Sequence, residues 1–107
     1  MREDKVYLQH ILESITNISE YVGVLDESAF SKDKKTIAAV IRELEIIGEA
    51  ANNLSDDFKK KHSEIPFRNM IDMRNFLTHE YFGVNAKVVW DTYKIDLPRL
   101  EEVIRNV

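Results

Sequence analysis

Three glycines and two prolines are the only strong backbone breakers in 107 residues. So few cannot supply the many tight turns of a small β domain, and long helices are the natural alternative. The apolar spacing agrees. Leu8, Ile11, Leu12, Ile15, Ile18 and Val22 recur three and four apart, the mark of one helical face over about Asp4 to Val24. Gly23 and the polar run Asp26-Glu27-Ser28 end that helix, and Ala29-Phe30 reads as a short turn. Ser31 or Asp33 is suited to cap a second helix from about Lys34 to Leu54, with Ile37, Val40, Ile41, Leu44, Ile47, Gly48, Ala51 and Leu54 as its stripe. Gly48 lies inside the stripe, where a missing side chain lets another helix come close. Ala39, Ile46 and Ala50 form a weaker second face, read as a surface for self-association.

Ser55-Asp56-Asp57 predicts an N-cap and a short helix through about Lys61. Pro66 suits the first turn of a third long helix, running to about Tyr81 and broken by Gly83 and Asn85. A last helix starts near Ala86, with Pro98 expected to kink or restart it. No repeat, low-complexity segment or linker divides the chain. The expectation is one all-α domain over residues 1–107, an antiparallel bundle of four to five helices.

Composition narrows the function. Without cysteine, disulfides, thiolate metal sites and cysteine nucleophiles are excluded. The charged start Arg2–Lys5 is not followed by a signal-like apolar run, and no stretch approaches the roughly 20 apolar residues of a membrane span, so a cytoplasmic location is expected. The formal net charge is −4. Proteins that hold nucleic acid by broad charge neutralisation are usually basic, so any RNA here must meet a local site.

Pattern and chemistry separate on the third helix. At about 100° per residue, Phe67, Met70, Ile71, Met73 and Leu77 share one apolar arc, and Arg74 falls in its middle. A guanidinium at a core-facing position is costly unless it is paired or opens on a cleft. Its structural reading is a bridge to a neighbouring carboxylate, with Glu43, Glu45 and Glu49 as candidates; its functional reading is an anion site. Asp72, Asn75 and His79 lie on a different side. Asn75 and His79 are four apart, so the amide can orient the imidazole. The competing reading is a solvated polar face with an incidental histidine. His10 and His62 lack such company and read as surface residues. Arg74 and His79, five apart, point about 140° away from each other on a straight helix. Either the helix unwinds near His79, or two copies meet and combine their side chains in one cleft.

The octapeptide Arg74-Asn75-Phe76-Leu77-Thr78-His79-Glu80-Tyr81 resembles the R-N-x-x-x-H-x-Y signature of HEPN domains in the HepT-like branch. Ile65-Pro66-Phe67 stands where that family has I-P-W. Ile47-Gly48-Glu49-Ala50-Ala51, Tyr81-Phe82-Gly83-Val84, Trp90 and Asp96-Leu97-Pro98 also match it. The likeness covers nearly the whole chain, and Phe67 in place of Trp is the one departure noted. It implies a HEPN-type bundle acting as a homodimeric, metal-independent endoribonuclease toxin with no cofactor. Arg74 and His79 become the catalytic pair, Asn75 and Asp72 supporting residues, and RNA the substrate. The implied partner is an MntA-like minimal nucleotidyltransferase antitoxin, which silences the toxin by transferring AMP to Tyr81.

The residue types suit that chemistry. Metal-free RNA cleavage needs a base for the 2′-hydroxyl, an acid for the leaving 5′-oxygen and a cation for the phosphorane. A histidine transfers protons near neutral pH, and an arginine binds phosphate in a bidentate manner. Three scattered histidines without cysteine do not make a closed metal set, and none is expected. Two other readings stand beside this one: a non-catalytic, nucleotide-binding accessory subunit of a nucleotidyltransferase, and a plain helical interaction module with a structural arginine.

Overall fold

A computed structural model describes residues 2–79 and 85–107, with Arg2, Thr78 and His79 described by their backbone. The fold is all-α. Its main members are α1 (Arg2–Val22), α3 (Lys34–Asn53), α5 (Phe67–His79) and a C-terminal run made of α6 (Ala86–Asp91), a π-helical turn (Thr92–Asp96) and α7 (Leu97–Arg105). Two short helices, α2 (Glu27–Lys32) and α4 (Asp56–Lys61), connect them.

Helix α3 is the centre of the bundle, with α1 packed along it on one side and α5 on another. Its stripe delivers Val40, Leu44, Ile47 and Ala51 to a core that also holds Ile11, Ile18, Phe30, Leu77 and Val89. Service to two neighbours explains the weaker second face. Ala50, expected on a surface for self-association, is buried within the chain, 4% exposed, and Ala39 and Ile46 are partly buried.

The local signals are mostly in place. Gly23 takes a positive φ of 54° just after α1, a conformation that glycine adopts without a Cβ penalty. The expected turn at Ala29-Phe30 is instead α2, because Asp26 caps it by accepting from the Ala29 N–H at 2.8 Å. Phe30 anchors that helix, fully buried against Trp90 with ring centroids 5.3 Å apart. Of the two candidate caps for α3, Asp33 is the one used, accepting from the Thr36 N–H at 3.0 Å, while the Ser31 hydroxyl donates to the Ser28 carbonyl. Ser55 caps α4 as expected.

Pro98 deforms the C-terminal helix one turn upstream. In a straight α-helix its ring would collide with the carbonyl of residue 94, and it has no N–H to donate. The chain widens instead, the Leu97 N–H reaching back five residues to Thr92, with Pro98 in the first turn of α7.

Candidate functional site

Arg74 projects from α5 at its crossing with α3, and opposite it lies Gly48. A Cβ built at position 48 would overlap the Arg74 Cβ outright, and would sit 2.7 Å from the Arg74 Cγ and 3.0 Å from the Met70 carbonyl oxygen. The glycine expected to admit a close helix therefore admits the arginine's own stem. Arg74 is partly buried, and its Nε is enclosed without a hydrogen-bond partner.

The structural reading of Arg74 requires a carboxylate, and among the described residues the arginine forms no ion pair. Glu43 is committed elsewhere: it is 8% exposed and accepts from the Tyr21 hydroxyl at 3.1 Å and the Asn17 amide at 3.5 Å. That bond and the adjacent negative charge raise the Tyr21 pKa above its ordinary value. Glu49 is exposed. An enclosed donor with no partner costs about 1–3 kcal/mol, so its presence needs a compensating role.

The other candidates share α5 but not its core face. Asn75 is exposed. Asp72 is exposed and pairs with Arg68 at 3.4 Å, one turn back on the same helix. The backbone is helical through His79, so α5 does not unwind before that residue. Positions 74 and 79 therefore stand about 140° apart around the axis of this helix. The His79 side chain and all of Tyr81 lie outside the described residues.

Two features are not evident from the sequence. His62 is not a free surface residue: its ring stacks on Phe58 at 4.4 Å and its Nδ1 lies 3.4 Å from Glu64. The four-residue spacing of Phe58 and His62 is the available signal. His10 is exposed, as expected. The second feature is a groove of about 610 Å³ between α5 and the C-terminal run, lined chiefly by Met70, Met73, Phe76, Val88, Thr92 and Leu97. Arg74 does not line it. Asp72, by contrast, does line it. Among the described residues, no group of three or more His, Asp or Glu converges as a metal site, and no helix is long and apolar enough to cross a membrane.

The comparisons give the family. The family described as ribonuclease HepT-like matches residues 11–107, and the chain belongs to it. A probable ribonuclease HepT of Thermococcus cleftensis is 50% identical over 100 residues, covering 94% of this chain and 91% of that protein. A putative RNase of Caldanaerobacter subterraneus is 39% identical over 100% of this chain and 96% of its own length. A Methanocaldococcus jannaschii protein named as a gamma-glutamylcyclotransferase and putative RNase is 44% identical over 100% of this chain but 49% of that longer protein. No solved structure matches the chain significantly.

Proposed function

We propose that this chain is a metal-independent endoribonuclease, the toxin of a toxin–antitoxin pair, with residues 1–107 working as one domain. The observation that carries the reading is Arg74: partly buried, pinned on Gly48, and without a structural counter-charge among the described residues. RNA phosphate is the ligand that such a group fits.

Two copies form the site, so that Arg74 of one and His79 of the other face a common cleft. One histidine removes the proton of a ribose 2′-hydroxyl, and the 2′-oxygen attacks the adjacent phosphorus. The bond to the 5′-oxygen breaks as that oxygen takes a proton from the second histidine. The products are a 2′,3′-cyclic phosphate and a 5′-hydroxyl. Arg74 stabilises the negative charge of the phosphorane, while Asn75 orients the imidazole and Asp72 supports the same face.

The same reading gives the chain a minimal nucleotidyltransferase antitoxin that moves AMP onto the Tyr81 hydroxyl, placing a negative phosphate where RNA phosphate must lie. The net charge of −4 favours a second reading, in which Arg74 holds a nucleotide for such a partner without cleaving RNA.

Purified protein incubated with RNA separates the two. Cleavage that persists in EDTA and is lost in His79→Ala supports the ribonuclease. Intact RNA at high protein concentration, or cleavage that needs a divalent ion, overturns it. For the switch, co-expression with the nucleotidyltransferase should add one AMP mass to the wild-type chain and none to Tyr81→Phe.

A further inference from the structure

We propose that Gly48 is the positioning residue for Arg74, fixing the guanidinium for the reaction through a contact that no other amino acid can make; the proposal rests on the ribonuclease reading. Two of the atoms that crowd position 48 cannot step aside. The Arg74 Cβ and the Met70 carbonyl belong to the frame of α5, not to the far end of a flexible side chain. An ordinary carbon–carbon contact needs about 3.5–4.0 Å. Even a methyl at 48 therefore forces α5 off α3 by something on the order of 1 Å, and Arg74 moves with it.

The contact also explains how a long, many-rotamer side chain is held without an ion pair among the described residues. Its Cβ and Cγ lie against bare backbone at Gly48, and its Nε is enclosed beyond them. Steric enclosure takes the place of the carboxylate that usually orients an arginine: among the described residues none is ion-paired with Arg74. Glycine in a helix interior costs roughly 0.5–1 kcal/mol against alanine, so packing alone gives α3 a reason to carry a larger residue. A fixed arginine is the compensating gain.

The test compares Gly48→Ala with Val40→Ala, a cavity-forming change two turns away on α3, at a temperature where both remain folded. Gly48→Ala should lower kcat on RNA by about 100-fold with KM within a few-fold of wild type, the loss expected of a misplacement near 1 Å. Val40→Ala should keep its kcat. A Gly48→Ala protein with kcat within threefold of wild type, or with KM alone altered, overturns the proposal.

A second measurement uses the wild-type chain and stands even if Gly48→Ala does not fold. The Arg74 Nε–H resonance, assigned by its loss in Arg74→Lys, should exchange with solvent clearly more slowly than those of the exposed Arg68 and Arg99. Equal exchange rates mean that the arginine is not held, and the proposal falls. If wild type cleaves no RNA, the ribonuclease reading fails, and the exchange rates still decide whether Gly48 holds Arg74.

Discussion

Where α1 meets α3 and the junction after it, the buried carboxylates have their donors. Asp4, 3% exposed, accepts from the backbone N–H and the hydroxyl of Ser55, both at 2.8 Å, and Glu43 accepts from Tyr21 and Asn17. Where α3 meets α5, the enclosed Nε of Arg74 has no partner, and a glycine is spent to accommodate its stem. Both are helix contacts in one small bundle with the same central member. One satisfies its polar groups and fastens the N-terminal helix to the chain 51 residues later. The other encloses the Nε of a cation without a partner among the described residues. Satisfied buried groups make structure; an unsatisfied but immobilised one is a site waiting for a ligand.

The comparison breaks most visibly at Arg74. Arg74→Lys should lower RNA cleavage by about 10²–10³-fold, because the planar fork is lost from the charge-stabilising position. Its melting temperature should stay near that of wild type, since no ion pair among the described residues is removed. Full activity with wild-type stability would mean that the arginine serves neither purpose. Asp4→Ala should do the reverse. It strands the Ser55 N–H at a buried junction, a loss of about 1–3 kcal/mol in chemical denaturation, with kcat unchanged for the molecules that remain folded.

Acid sharpens the same contrast. The Ser55 backbone N–H, helped by its hydroxyl, holds the Asp4 carboxyl below its ordinary value of 3.8. The folded pKa is thus depressed. The stabilisation is complete above 3.8 and is lost as pH falls through the lower folded value. Asp33, lowered chiefly by the Thr36 N–H, contributes to the same limb. Asp4→Asn should therefore flatten, without abolishing, the acid limb of stability against pH; an unchanged limb would assign acid sensitivity elsewhere. The smallest expected effect is Arg74→Met. It keeps an unbranched stem of similar shape and removes the unpaired donor, so its stability should equal or slightly exceed that of wild type. A clear drop in melting temperature would show that Arg74 has a structural partner after all.

How much can be read from residues alone depends on the range of each interaction. The long helices are legible because Ile11, Ile15 and Ile18, or Val40, Leu44 and Ile47, repeat along a single segment. Gly48 is legible as a close approach, but not its occupant, which comes from another helix far along the chain. Helix α2 reads only as a turn because one buried residue, Phe30, gives no periodicity. Ala50 reads as surface because a helix packed on two neighbours shows two apolar faces whether or not a second chain is present. The groove beside Phe76 is invisible in the sequence, since it is assembled from separate segments and belongs to none of them. The 140° between positions 74 and 79 is plain from counting alone, and the backbone is helical through both.

The wide turn at Thr92–Asp96 has a bearing on how chains of this kind change length. Its extra residue per revolution is slack, taken up just ahead of Pro98. A single-residue deletion within Leu97–Arg105 would rotate the remainder of α7 by about 100° and swing Leu100 or Ile104 out of the core. The same deletion between 92 and 96 can be absorbed by letting the turn tighten to an ordinary α turn, leaving Val89 and Trp90 before it and Leu97 and Leu100 after it on their present faces. Single-codon insertions and deletions in the C-terminal third of such proteins should therefore collect at this one turn, a hinge for length rather than for motion.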